Sequence, residues 1–364
     1  MHERSEKRTD YRNGTREREL LVRIGTLKLE VPRHRNQPFH TMIFENYQRS
    51  EAALIATMVQ MVVMGVSTRK VGKLVETLCG TDFSKSTVSA LCKTLDGKID
   101  EFRNQPIKAN YPFLMVDATY FKAREEHKIK SKAFLVAIGI NEDGEREILG
   151  FNTYDAEENF SWEDFLQSLK KRGLTSVNMI ISDAHKSIPY ALKSVYPEAA
   201  WQRCQVHFIR NILDKVPKKY KEGLAFELRE MFTAKTLEEA ERKKESIIDD
   251  YTSVAPGAME VLEKGFDDSM TVISLPDHMR KNLRSTNMLE RLNREFKRRS
   301  DVIQIFPNAD SITRLIGAVA IEYNAVFSCK QKLFSRKTFA KIQKTMCAEF
   351  IRIAREQQLR NEAA

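Results

Sequence analysis

Between Tyr111 and Phe208 the hydrophobic pattern switches period several times, and this succession restricts the fold more than any other feature of the chain. Tyr111 to Val116 is an apolar run ending at Asp117, and Lys132 to Ile140 is a second. Asn141 to Gly144 supplies a turn, and Glu147 to Tyr154 is a third run. Short β-rich runs separated by turn residues predict three consecutive antiparallel strands. Asn159 or Ser161 then opens a helix carrying Trp162, Phe165, Leu166 and Leu169, which Gly173 closes. Val177 to Ile181 returns to β texture and stops at Ser182-Asp183. A short helix to Tyr196-Pro197 and a last strand from Trp201 to Phe208 complete the series.

Three strands followed by helix, strand, helix, strand is the order of the ribonuclease H-like α/β fold, in which the first and fourth strands are neighbours. Residues 209 to 280 lack strand texture. They are dense in Lys, Glu, Leu and Ala at helical spacing, with breaks at Pro217, Pro256-Gly257 and Pro276. Helices are predicted again at 286 to 299, 310 to 329 and 336 to 358. The expected division is a basic N-terminal arm with short strands (1–49) and a helix-turn-helix-like DNA-binding domain (50–108). The first part of the ribonuclease H-like catalytic domain (109–208), an all-helical insertion (209–283), the second catalytic part with the Glu290 helix (284–330) and a C-terminal helix (331–364) follow.

Within residues 50 to 105, Ser50 can cap an apolar helix through Met64 that Gly65 ends, and Ser67 opens a second helix stopping at Gly80. A third begins at Ser84 or Ser86, turns Val88, Leu91 and Leu95 inward, and leaves Lys85, Ser86, Thr87 and Ser89 near its start. That plan matches DNA readers, although three packed helices without any DNA contact would give the same apolar pattern.

The chain carries 60 Lys plus Arg against 50 Asp plus Glu over 364 residues, so it attracts polyanions. Its apolar runs are far shorter than the roughly 18 residues of a membrane span. No secretory signal opens it, and membrane association is not expected. The five cysteines are scattered without a Cys-x-x-Cys pair, which excludes a disulfide framework and points to the reducing cytoplasm.

Asp117 and Asp183 both follow apolar runs, where packing needs no carboxylate. Either could be a turn former or cap. On neighbouring strands they would converge and repel, and a divalent cation, Mg²⁺ above all, resolves that repulsion. A third carboxylate comes from the helix Asn287 to Arg299. There Leu289, Leu292 and Phe296 form an apolar face, and Glu290, Arg294, Lys297 and Arg298 form a second. Asn287-x-x-Glu290 could equally be a capping box. From Met279 to Arg299 there are eight Lys or Arg and two Glu, an excess of six, as a helix tracking phosphates would need. The excess in the first 35 residues, with ten Lys or Arg and six Asp or Glu, equals the whole of the remaining four.

The stretches Val116-Asp117-Ala118, Ser182-Asp183-Ala184 and Gln202-Arg203-Cys204-Gln205-Val206-His207 with Arg210-Asn211 carry a family resemblance. Arg284-Ser285-Thr286-Asn287 through Glu290-Arg291-Leu292-Asn293, with Arg298-Arg299, extends it. Together they resemble the Mutator-type transposases of bacterial insertion sequences, from about Arg8 to about Phe334. The resemblance implies an Asp-Asp-Glu triad of Asp117, Asp183 and Glu290 holding two Mg²⁺ ions, for which Mn²⁺ would substitute. It implies cleavage and joining of DNA ends through a copy-out circular intermediate, by a homodimer that binds terminal inverted repeats and target DNA at the bacterial nucleoid. Arg203, Arg210, Arg284, Arg291, Arg294, Lys297, Arg298 and Arg299 are the expected DNA contacts, beside Lys85, Ser86, Thr87 and Ser89. Family members usually carry more sequence ahead of Arg12-Asn13-Gly14, so a shortened or missing first module is expected here.

Cys204-x-x-His207 has metal-ligand types at ligand spacing, but zinc needs four ligands, and His185 and His278 are isolated. The resemblance implies that Cys204, His207 and Asn287 support the active site, with strand-core packing the alternative for the first two. Trp162 and Trp201 fall at core positions. Two other functions fit the same residues. One is a DNA-binding regulator that has lost catalysis, and the other a nuclease for RNA–DNA hybrids.

Overall fold

A computed structural model describes residues 12–22, 25–35, 52–79 and 84–363. The expected cap Ser50 and the Gly80 stop between the second and third helices lie outside the described residues. The chain divides into two compact units, one ending at Asp96 and joined by Arg298–Ile303, the other formed by Gly97–Lys297 and Gln304–Ala364.

In the first unit, β1 (Arg12–Val22) pairs antiparallel with β2 (Gly25–His34), Leu20 opposite Leu27. Both strands are longer than the short ones expected. Helices α1 (Ala52–Val63), α2 (Thr68–Cys79) and α3 (Lys85–Cys92) follow. They share a small core of Leu54, Met58, Val71, Val75 and Val88. The Ser84 hydroxyl caps α3 by accepting the Thr87 N–H at 3.1 Å. Gly65 stops α1 with φ +92°, a conformation that strains any residue with a Cβ. Arg299 is buried here, and its guanidinium donates to the Val63 carbonyl at 2.9 Å, satisfying one of the orphan acceptors at the end of α1.

The second unit opens with α4 (Leu95–Asn104), most of which belongs to it, and is built on a mixed sheet. Strands β3 (Phe113–Glu125), β4 (Lys128–Ile140) and β5 (Arg146–Tyr154) run antiparallel in sequence. After α5 (Asn159–Lys171), β6 (Met179–Ser182) lies parallel to β3 on its other side. After α6 (Ser187–Val195), β7 (Ala200–Arg203) lies parallel to β6. The order across the sheet is β5-β4-β3-β6-β7. Alternation along the strands buries both faces. Leu114, Val116, Leu135 and Ile180 pack against Trp162, Phe165, Leu166 and Leu192 of α5 and α6. The opposite face is aromatic, with Phe134 stacked on Phe151 at 5.6 Å and Phe113 edge-on to Phe334 and Phe339.

The expected strand through Phe208 ends at Arg203. Cys204 instead caps α7 (Gln205–Asp214), whose Phe208 and Ile212 turn into an all-helical body. That body continues through α8 (Lys221–Phe232), α9 (Leu237–Tyr251), α10 (Pro256–Met270) and α11 (Asp277–Leu283), around Leu224, Leu228, Met231, Leu262 and Phe266. The chain returns through α12 (Asn287–Ser300) and a two-residue strand, β8 (Ile305–Phe306), which pairs with β3 at Lys122 and Ala123. Helices α13 (Ala309–Ser328) and α14 (Arg336–Ala363) close the unit.

One side chain of α14 finishes the sheet. The Gln357 amide accepts the Trp201 N–H at 2.8 Å and donates to the Trp201 carbonyl at 2.7 Å, so it pairs with β7 as a neighbouring strand would. An outer strand edge is thereby blunted without a further strand. Gln357→Leu strands the Trp201 N–H, while the carbonyl keeps the Thr271 hydroxyl at 2.8 Å, and is expected to cost about 1 kcal/mol or more, measured by urea unfolding of the full chain.

Candidate active site

Parallel pairing sets the site. Phe113, Leu114 and Met115 of β3 lie opposite Met179, Ile180 and Ile181 of β6, and continuing that register brings Asp117 level with Asp183. Alternation turns Asp117 to the same face as Phe113, Met115 and Phe121. Contrary to the expectation of a strand end, Asp117 is the fifth residue of a 13-residue strand. It behaves as an end nonetheless, because β6 stops at Ser182 and β8 joins β3 only at Lys122. Asp183 is the first residue beyond its strand. Its carboxylate accepts the His185 N–H at 3.2 Å, and its carbonyl accepts the Ser182 hydroxyl, which itself takes the Trp201 indole N–H at 2.8 Å. Trp201 is thus half-buried and holds the loop, whereas Trp162 is wholly in the core.

Helix α12 passes over this stretch of β3. Leu289, Leu292 and Phe296 are fully buried, Phe296 edge-on to Phe134 at 5.5 Å. The next turn of contacts is polar. Asn293 Nδ2 donates to Asp117 Oδ2 at 2.8 Å, and the Lys297 ammonium donates to the Tyr120 carbonyl. The first helical bond of α12 runs from the Glu290 N–H to the Thr286 carbonyl, so Glu290 sits one place beyond the capping-box position. Its carboxylate faces His207 instead, with Nε2 at 3.2 Å but off the hydrogen-bond direction, and that Oε1 has no hydrogen-bond partner.

Cys204 and His207 belong to the cap and first turn of α7, not to a strand core. The buried Cys204 sulfur accepts the N–H and hydroxyl of Thr286 at 3.4 Å each, and the Cys204 N–H donates to the Ser182 carbonyl at 2.7 Å. One cysteine thereby joins the end of β6 to the start of α12. Burial opposes ionisation of the thiol, but hydrogen bonds from His207 and Thr286 outweigh it and hold Cys204 below its ordinary range. His207 is raised, first by Cys204 and then, against the cost of burial, by the charges of Cys204, Glu290 and Asp117.

Burial pushes the Asp117 carboxyl up from 3.8 to about 7, and the charge of Asp183 adds to the push. An acid so displaced beside a second acid is a site short of positive charge. Among the described residues no three His, Cys, Asp or Glu side chains form a ready cage for a metal. Two carboxylates and an unpaired Glu290 oxygen do fit Mg²⁺, which keeps waters and takes remaining ligands from a phosphate.

The expected polyanion contacts divide. Lys85, Ser86, Thr87 and Ser89 are exposed on α3, as are Arg210, Arg291, Arg294, Lys297 and Arg298. Arg284 is half-buried at the end of α11. Arg203 packs its guanidinium over the Phe208 ring at 4.2 Å, inside the helical body. Arg299 is a correction, because it is buried in the first unit as a helix cap and its guanidinium is not presented to solvent. Asn287 is exposed and the structure brings it to no member of the site, while Asn293 does reach Asp117. The signal for Asn293 was its i,i+3 spacing from Glu290. Thr286 carried no such signal.

A buried carboxylate pair at a sheet end, overlain by a helix rich in exposed Arg and Lys, is an arrangement suited to a polyanionic substrate. The family model described as "Transposase, Mutator family" matches residues 1–328, and the chain belongs to that family. It is 43% identical over 324 residues to the transposase of insertion sequence element IS256 in transposon Tn4001 from Staphylococcus aureus, covering 88% of this chain and 83% of that one. It is 43% identical to the transposase of ISRM5 from Rhizobium meliloti (88% and 80%) and 36% identical to that of IS1081 from Mycobacterium tuberculosis (88% and 78%). The chain is therefore a DNA transposase, an enzyme that processes and binds DNA. No described helix is long and apolar enough to cross a membrane.

The displaced acid has a measurable consequence in the metal-free protein. Folded Asp117 keeps its proton up to about pH 7, whereas in the unfolded chain it ionises near 3.8. Between those values the folded state binds the extra proton, so stability falls as pH rises through the window. Asp117→Asn is expected to be more stable than the parent at pH 8, by on the order of 1 kcal/mol or more, with the difference vanishing towards pH 4. Thermal unfolding with chelator across that range reads it.

Proposed function

We propose that the chain is an Asp-Asp-Glu transposase in which Asp117, Asp183 and Glu290 hold two Mg²⁺ ions, replaceable by Mn²⁺, at a ribonuclease H-like catalytic centre. The observation that carries this is the level placement of Asp117 and Asp183 beneath a helix that brings Glu290 against His207. The sheet order, three antiparallel strands with the fourth and fifth added parallel to the first, supports the fold assignment. Asp117, Asp183 and Glu290 would hold two divalent cations, which when bound would supply an activated attacking oxygen at neutral pH and charge stabilisation for the leaving 3′ oxygen.

The protein's own groups position and neutralise. Asn293 and the Ala118 N–H hold Asp117 by one oxygen each, at 2.8 and 2.9 Å, and His207 steadies Glu290. Cys204 acts through Thr286 on the start of α12. Arg291, Arg294, Lys297 and Arg298 lead the scissile strand along α12, where each neutralised phosphate adds salt-dependent affinity. No covalent nucleophile is needed, since water first and then a DNA 3′-OH attack in line. Lys85, Ser86, Thr87 and Ser89 on α3 contact the terminal inverted repeats, in a helix-turn-helix-like domain of residues 50–108 that precedes the divided catalytic domain. Two ends held together call for a homodimer, and the family supports copy-out through a circle, in the bacterial cytoplasm at the nucleoid.

Asp117→Asn, Asp183→Asn and Glu290→Gln are each expected to lower end cleavage and strand joining by at least about 1,000-fold while end binding persists. Joining by the Glu290 variant overturns that residue's role. Binding without any chemistry by the intact protein, or cutting of RNA–DNA hybrid with none of duplex ends, overturns the whole reading. For the helix stripe, Arg291→Ala and Arg294→Ala should each reduce the salt slope of DNA binding by about one. Arg299→Ala should instead act on thermal stability.

A further inference from the structure

One buried acid beside the aspartate pair has no part in the chemistry above. Glu157 lies in the turn between β5 and α5, its side chain 7% exposed. Burying a carboxylate is costly unless donors surround it. Two do, and a third group stands beside them. The Tyr120 phenol donates to Oε2 and the Trp162 indole N–H donates to Oε1 at 3.1 Å, while His185 Nδ1 stands 3.4 Å from Oε1 off the hydrogen-bond direction.

Those three neighbours come from three elements. Tyr120 is on β3, three residues beyond Asp117. His185 is in the loop after β6, two beyond Asp183, and its own N–H holds the Asp183 carboxylate. Trp162 is fully buried on α5 and gives the cluster an immobile footing. A single carboxylate therefore ties the strand bearing one aspartate to the loop bearing the other. Nothing in the hydrogen bonding of β3 and β6 does this, because their pairing ends at Met115 and Ile181.

We propose that Glu157 is a positioning residue that sets the spacing of Asp117 and Asp183 for a divalent cation, acting through Tyr120 and His185. The inference rests on the metal-binding reading above. Groups that orient metal ligands without touching the ion commonly change affinity about 10- to 100-fold when removed. Glu157 also adds negative charge felt at Asp117, which strengthens the demand for a cation. A glutamine of the same shape would accept from one donor and confront the other with its amide N–H₂.

The test is Mn²⁺ binding to the full chain, followed by electron paramagnetic resonance, with circular dichroism confirming the fold of each variant. Asp183→Asn is the control for the metal site. Glu157→Gln should raise the Mn²⁺ dissociation constant roughly 10-fold or more. Tyr120→Phe, which deletes one hydroxyl from a ring 44% exposed, should raise it in the same direction. If Asp183→Asn binds Mn²⁺ as the parent does, the metal-site reading fails and the inference with it. If Asp183→Asn loses Mn²⁺ while Glu157→Gln and Tyr120→Phe bind normally, the tie alone is refuted. Should Glu157→Gln not fold, Tyr120→Phe decides, and unchanged affinity in it overturns the proposal.

Discussion

Repulsion between two carboxylates held level on adjacent parallel strands is the constraint around which the second unit is organised. The β3–β6 register carries Asp117 and Asp183 to the same level, and burial denies Asp117 the water that would screen it. Everything nearby answers that field. Asn293 and the Ala118 amide donate to Asp117, the His185 amide donates to Asp183, and His207 is drawn towards its protonated form. A transposase gains from leaving the rest unanswered. A buried site that stays short of positive charge favours cations and polarised groups.

Helix α12 meets two demands with one amphipathic pattern. Its apolar stripe docks on the aromatic face of the sheet through Phe296, which fixes its rotation, and that rotation alone determines which polar residues meet β3. Its start is fixed separately, by the Thr286–Cys204 contacts that fasten it to the end of β6. The helix can therefore be rich in exposed Arg and Lys without losing its place, because its basic residues and its sheet-docking apolar residues lie on different faces.

Period-2 and period-3.6 patterning made most of this legible. The order of β3 to β7 and their helices follows from apolar runs and caps, and the neighbouring placement of the two aspartate-bearing strands follows from that order. Local pattern failed where tertiary contacts decide. Asp117 reads as a strand end because apolarity stops there, yet backbone pairing with β4 carries the strand on to Glu125. Trp201 to Phe208 reads as one β run, but Gly265 and the helical body claim Phe208, and the chain turns helical at Gln205. Arg299 sits in a basic run that looks uniformly solvent-facing. Only the three-dimensional position of the Val63 carbonyl shows that this arginine serves the fold. Glu157 gave no sign at all, since its partners lie 37, 28 and 5 residues away and share no motif.

Gln357 imposes an order in time. The three acids and the basic helix have all emerged from a ribosome before the glutamine that completes the β7 edge is made, and α14 also supplies Phe339 to the sheet's aromatic face. Until then the nascent chain presents an unfinished sheet with an open outer strand. A chain that stopped short of α14 would carry all three acids on a sheet whose outer strand is open and whose aromatic face lacks Phe339.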